Sequence, residues 1–137
     1  MMALAARKPS ASDPTLDGRS ILVIEDHADS RDLLTAVLQS LRAHVLAART
    51  VEEAERHLLV ARPHAIVCDM RLPDGTGLDF VAWLRNQSKP IRTIPCIAIT
   101  GYERTFPPEA ASGFNAYMRK PLNLDRFCAA VVALARG

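Results

Sequence analysis

The sequence predicts an α/β fold, a doubly wound parallel sheet with helices on both faces. Three observations lead there. Short apolar runs, among them Ile21-Leu22-Val23-Ile24, Ala65-Ile66-Val67-Cys68 and Cys96-Ile97-Ala98-Ile99, read as strands buried on both sides. Segments with apolar residues at helical spacing lie between most of them. Strand and helix therefore alternate along the chain, as βα units require. With 137 residues, 49% apolar and 23% charged, the chain has the size and composition of one folded domain.

Residues 1–18 are small, polar and contain Pro9 and Pro14, so a flexible tail is expected there and the domain is expected to span 19–137. After the first strand, Leu33, Leu34, Val37, Leu38 and Leu41 form one helical stripe beginning near Asp29. Residues 45–48 make a weaker strand. Thr50-Val51-Glu52-Glu53 has the form of a capping box, with Thr50 as N-cap and Glu53 reaching back. The helix it opens directs Val51, Ala54, Leu58 and Ala61 inward, and Pro63 ends it. Residues 65–68 follow as a strand closed by Asp69, then a helix over 78–84 and a strand over 96–99. Residues 101–113 hold Pro107-Pro108 and few apolar positions, so only 108–112 can form a short or irregular fourth helix. Residues 116–118 make the fifth strand. Asn123 caps a last helix with Leu124, Phe127, Cys128, Val131 and Leu134 on one face.

Composition narrows the function classes. Lys and Arg number 17 against 15 Asp and Glu, a net charge of +2, too slight an excess for a dedicated nucleic-acid binder. Cys68, Cys96 and Cys128 are scattered and odd in number, which fits reduced core residues rather than disulfides or a zinc site. No apolar run approaches the roughly 20 residues of a membrane span. The first residues lack the order of a secretion signal, and a cytoplasmic location is expected.

In a sheet of this class the binding crevice lies beyond the carboxyl ends of the strands, where strand order reverses. Those ends hold Glu25-Asp26, Asp69 and Thr100, and Lys120-Pro121 follows the fifth strand. With strands one and three adjacent, three carboxylates crowd one crevice, which demands a cation. A hard, oxygen-seeking ion such as Mg²⁺ suits them. Lys120 adds a charge for an anionic ligand and Thr100 a hydroxyl. The set suits a phosphoryl group held on or near a carboxylate.

Four motifs in order then resemble a known family: Ile21-Leu22-Val23-Ile24-Glu25-Asp26; Cys68-Asp69-Met70-Arg71-Leu72-Pro73-Asp74-Gly75-Thr76-Gly77; Ala98-Ile99-Thr100-Gly101-Tyr102; and Tyr117-Met118-Arg119-Lys120-Pro121. From about Arg19 onward the chain resembles the receiver (CheY-like) domain of two-component response regulators, and is similar to receivers attached to hybrid histidine kinases. The resemblance implies a flavodoxin-like (βα)5 fold with strand order 2-1-3-4-5. It implies Asp69 as phosphoacceptor and Mg²⁺ held by Asp26, Asp69 and the backbone carbonyl of Arg71, with Glu25 acting through a metal-bound water. Lys120 would pair with a phosphoryl oxygen across a cis Lys120-Pro121 bond. Thr100 would hydrogen-bond the phosphoryl group, and Tyr117 would be the aromatic switch that follows Thr100. Implied partners are a histidine kinase or histidine phosphotransfer protein and a downstream protein. With no output or DNA-binding domain expected after the last helix, signalling or phosphorelay through protein contacts follows, and a homodimer stays open.

Plainer readings stand beside these. His27 is expected to be a solvent-facing loop residue rather than a metal ligand, and strand alternation turns Cys68 away from Asp69 into the core. Tyr117 could be an ordinary packed edge tyrosine. Two departures from the family pattern matter. Residues 100–120 are a few positions short and interrupted by Pro107-Pro108, so output or dimerisation is expected on another face. Arg71 sets a long cation at the crevice mouth and is expected to alter the phosphate's lifetime. The rival functions are a receiver-like interaction module that works without phosphorylation, and an aspartyl-phosphate phosphatase. The phosphatase needs a second Asp two residues after its nucleophile at the end of strand 1, which Glu25-Asp26-His27 does not supply. A flavin mononucleotide protein is disfavoured because the loop after strand 1 is acidic rather than a phosphate cradle.

Overall fold

Alternation along β1 (Ser20–Ile24) decides how the sheet is covered. Ile21 and Val23 enter one core and Leu22 and Ile24 the other, each at most 1% exposed. A strand without a solvent face must be central, and β1 pairs in parallel with β2 (His44–Ala48) and with β3 (Ala65–Asp69). β6 (Cys96–Thr100) and β7 (Ala116–Arg119) complete a parallel five-stranded sheet in the order β2-β1-β3-β6-β7. This is the expected doubly wound fold. The computed structural model describes residues 15–101 and 113–137; the short helix expected over 108–112 lies outside the described residues.

α1 (Ala28–Ser40) and α4 (Leu124–Arg136) cover one face, burying Leu34, Val37, Leu38, Phe127 and Val131. α2 (Val51–Val60) and α3 (Gly77–Arg85) cover the other with Ala54, Leu58, Phe80, Val81 and Leu84. A hairpin not foreseen from the sequence, β4 (Arg71–Leu72) against β5 (Gly75–Thr76), fills the turn between β3 and α3. Its strands are two residues each, too short for any periodicity to register.

Three local expectations change. Leu33 is 53% exposed, because the buried stripe of α1 runs through Leu34, Val37, Leu38 and Leu41 and its neighbour one position back falls about 100° away. Leu16 is fully buried, and its N–H donates to the Leu41 carbonyl at 2.8 Å. Arg136 Nη1 donates to the Thr15 carbonyl at 3.1 Å, so the folded body includes residues 15–18, which were expected in the tail. Thr50 does cap α2 by accepting from the Glu53 N–H at 3.0 Å, but the Glu53 carboxylate accepts from the N–H of Arg49 rather than of Thr50. The reciprocal capping box is at Thr76 and Asp79, opening α3. Cys68, Cys96 and Cys128 are free and buried; burial pushes the Cys96 thiol up to about 12 and the Cys128 thiol to about 11, as suits inert core residues.

Candidate functional site

Parallel pairing brings the carboxyl ends of β1, β3 and β6 to one edge of the sheet. Beyond β1, the Glu25 N–H still donates to Ala48 at 2.9 Å, which holds Glu25 in line with the strand and buries it to 1% exposure. Asp26 lies one residue past that constraint and is exposed. Asp69 is the last residue of β3 and pairs with Ile99. Thr100, buried, follows Ile99, and its hydroxyl reaches the Met118 carbonyl at 3.5 Å. The Lys120 N–H donates to the Thr100 carbonyl at 2.7 Å, and the Lys120-Pro121 bond is cis.

These constraints bring Lys120 Nζ to 3.2 Å from Asp69 Oδ2 and 3.3 Å from Glu25 Oε1. The ammonium thus bridges two buried carboxylates whose positions are 95 and 51 residues distant in sequence. Burial raises the Glu25 carboxyl above its ordinary range; the His27 N–H works against that and the nearby Asp69 carboxylate adds to it. Burial also disfavours the Lys120 ammonium, but the charges of Asp69 and Glu25 outweigh it and hold the amine protonated above the usual lysine range. Two carboxylates facing one ammonium leave an excess negative charge in a desolvated pocket. That donor set, all oxygen and underneutralised, fits a hard divalent cation.

The loop around Asp69 is tightly braced. The Arg71 N–H donates to Asp69 Oδ1 at 3.2 Å, and the Gly77 N–H donates to the Met70 carbonyl at 2.9 Å. A Cβ on Gly77 would stand 3.0 Å from the Asp69 carbonyl oxygen and 2.9 Å from Met70 Sδ, so a larger residue here would have to push the loop back. Asp74, in the hairpin turn, accepts from the N–H groups of Val51 and Glu52 at 2.9 and 3.1 Å and so joins the loop to the start of α2.

Of the residues expected at the site, Glu25, Asp69 and Lys120 are in mutual contact, Thr100 is on the adjacent strand end, and Asp26 and Arg71 are at the exposed mouth. Tyr117 is half-buried in β7, its ring centroid 5.6 Å from that of Phe114. Sequence reasoning missed two supports. One is the Asp74 contact. The other is Arg31, whose guanidinium donates to the carbonyls of Glu25 and Asp26 at 3.1 Å each. A cation one turn into the helix after an acidic loop was the available signal for Arg31.

Residues 21–132 match the model of the response regulator receiver domain. A 14.6 kDa uncharacterised protein of Leptolyngbya boryana is 37% identical over 111 residues, covering 80% of this chain and 84% of its own length. The polar-differentiation response regulator DivK of Brucella anthropi is 28% identical, covering 80% of this chain and 89% of DivK. Among solved structures, the receiver domain of sensor histidine kinase PA1611 from Pseudomonas aeruginosa PAO1, with a magnesium ion coordinated in its active-site cleft, superposes with a TM-score of 0.77 at 25% identity, covering 87% of this chain and 98% of that one. With the fold, the bridged carboxylates and the family match in agreement, the chain belongs to the response regulator receiver domains of two-component signalling.

Proposed function

We propose that Asp69 accepts a phosphoryl group from a histidine kinase or histidine phosphotransfer protein in a Mg²⁺-dependent reaction, and that the chain then signals or relays through protein contacts. The observation behind this reading is the Lys120 ammonium between Asp69 and Glu25 at 3.2 and 3.3 Å. It stabilises an ionised acceptor and stands where charge develops on a transferred phosphoryl group.

Receiver domains bind Mg²⁺ in an acidic pocket, and here Asp26, Asp69 and the Arg71 carbonyl would hold the ion, with Glu25 acting through water. The ion supplies charge neutralisation for the phosphoryl oxygens. The chain's own residues do the rest. One Asp69 carboxylate oxygen attacks phosphorus, the P–N bond to the donor imidazole breaks, and that imidazole leaves with the electron pair. The transition state is loose and needs chiefly in-line positioning and neutralisation. Braces from Arg71, Met70 and Gly77 hold Asp69 in position, and Lys120 pairs with the phosphoryl oxygens. Thr100 then hydrogen-bonds the new group, and Tyr117 follows it inward, biasing a two-state element. Receiver domains are phosphoacceptors rather than conventional enzymes. Cytoplasmic action is part of the proposal; among the described residues no helix is long and apolar enough to cross a membrane.

Labelling from a phosphorylated histidine phosphotransfer protein and from acetyl phosphate, with and without Mg²⁺, tests this. Stoichiometric, Mg²⁺-dependent label that Asp69→Asn abolishes is expected. An unlabelled wild-type chain with both donors would replace this reading with an interaction module that works without phosphorylation.

A further inference from the structure

The two ends of the sheet differ in charge. Its strands are all parallel, so each begins at the end remote from the acidic crevice, where the helices finish. Arg19 stands just before β1, Arg42 just before β2 and Arg62 just before β3, while Lys89 and Arg92 lie in the connection from α3 to β6. Arg136, in the last turn of α4, donates to the Thr15 carbonyl at this end. Arg19 is half-buried and the others are exposed. Among the described residues of these connections, the one carboxylate side chain is Asp17, 3.8 Å from Arg42. A net charge of +2 over the whole chain conceals this separation.

Cations near helix C-termini often do no more than satisfy the last carbonyls. Arg62 does this, its Nη1 donating to the Leu58 and Ala61 carbonyls at 2.8 and 3.0 Å. Arg42 is different. α1 closes with the Arg42 N–H donating to the Gln39 carbonyl at 2.8 Å and the Ala43 N–H to the Leu38 carbonyl at 3.2 Å, which sets Arg42 at φ 74°. Glycine ordinarily takes that left-handed position, because a Cβ there is crowded by the backbone. An arginine that bears this strain with its guanidinium exposed points to a use for its charge. Next to it, Arg19 Nε is buried with no hydrogen-bond partner among the described residues.

The same end has an apolar margin, since α2 finishes in Leu59 and Val60, 72% and 86% exposed, just before Arg62. Its one aromatic residue, Phe114, is buried, so nothing there offers a nucleic-acid base a face to stack on. Strands stand about 4.8 Å apart, so the starts of β2, β1, β3 and β6 spread the cations over about 14 Å; three carboxylates at alternate positions of an extended peptide span about 13 Å. Arginine forks suit carboxylates. We propose that this cationic end is a docking surface for an acidic polypeptide segment of a partner protein, which lays alternate carboxylates along the arginine row and an aliphatic side chain against Leu59 and Val60. The surface is remote from Asp69, so the segment and a phosphoryl donor can be bound together, and the inference does not depend on phosphoryl transfer.

The test uses the full chain and fluorescence anisotropy of a labelled peptide with Glu at alternate positions and Leu-Leu at one end. Binding that weakens with salt, and that is lost when Gln replaces each Glu of the peptide, is expected. Reversing Lys89 and Arg92 together to Glu should weaken it by about tenfold or more, whereas Arg126→Glu, at the crevice end of α4, should leave it unchanged. Arg42→Gly separates charge from fold: affinity should fall by about twofold or more, while the thermal midpoint stays level or rises as the left-handed strain is relieved. Absent or salt-insensitive binding, an affinity indifferent to the reversal, or a lower midpoint in Arg42→Gly overturns the inference. Tighter binding to single-stranded DNA or to phosphatidylserine vesicles than to the peptide overturns it too, by giving the surface a different occupant.

Discussion

The loops that follow β1 and β3 meet at one crevice yet are held very differently. After β3, Asp69 is fixed by the Arg71 N–H, by the Gly77 backbone pressed against it and by a hairpin that Asp74 fastens to α2. After β1, Glu25 is locked in the sheet and Arg31 holds the carbonyls of Glu25 and Asp26, but the side chains of Asp26 and His27 are exposed and the α1 N-cap has no side-chain acceptor. The difference has a chemical sense. An in-line attack tolerates little displacement of the nucleophile, whereas groups that gather around an ion can be assembled by it. Rigidity is therefore concentrated at the acceptor, and adaptability at the ligand side.

The largest effect is expected on removing the cation that links the two loops. Lys120→Ala leaves Glu25 and Asp69 facing each other without their ammonium, and labelling of Asp69 by acetyl phosphate should slow by about 10²-fold or more. Loss confined to Asp69 chemistry, with the chain still folded by circular dichroism, is the expected pattern. Gly77→Ala strikes the braced loop itself. The added methyl meets backbone, so a cost of about 1–3 kcal/mol is expected, read as a lower thermal midpoint together with slower labelling. An unshifted midpoint would show that the loop yields, and the contrast drawn here would fail.

Asp26→Asn addresses the looser side. Its Mg²⁺ affinity should fall by about tenfold or more, with stability within about 0.5 kcal/mol of wild type because the residue is exposed. The smallest effect is expected at Asp74 and depends on pH. Burial is the largest single influence on Asp74 and opposes its ionisation, but the backbone N–H groups of Val51, Glu52 and Asp74 together outweigh it and hold the carboxyl below its ordinary range. A carboxyl lowered on folding contributes stability above its unfolded pKa and loses it as pH falls through the folded value. Asp74→Ala should therefore cost about 1 kcal/mol at neutral pH, and the gap to wild type in urea unfolding should close in acid below the usual carboxylate range. A gap that persists there would assign the effect to packing rather than charge.

Much of the architecture was legible because burial on both faces leaves continuous apolar runs and helices leave stripes. The runs at 21–24, 65–68 and 96–99 became β1, β3 and β6, and Asn123 capped α4 as expected, its side chain accepting from Arg126 at 3.0 Å. The hairpin was not legible, being too short to show a period. Leu16 was not, since one apolar residue in a polar stretch gives no sign of the α1 and α4 surfaces that bury it. Nothing tells from Glu25-Asp26 alone which carboxylate goes inward.

By itself the chain's order of residues determined the element types, the doubly wound sheet and the strand ends at which acidic groups had to collect, because these follow from local periodicity and capping. Tertiary structure decided that Glu25 rather than Asp26 shares Lys120 with Asp69, that Asp74 closes the start of α2, and that His27 turns toward the carboxylates. The first two outcomes depend on groups between 22 and 95 positions apart, joined through strand register, burial and charge, none of which a local pattern contains.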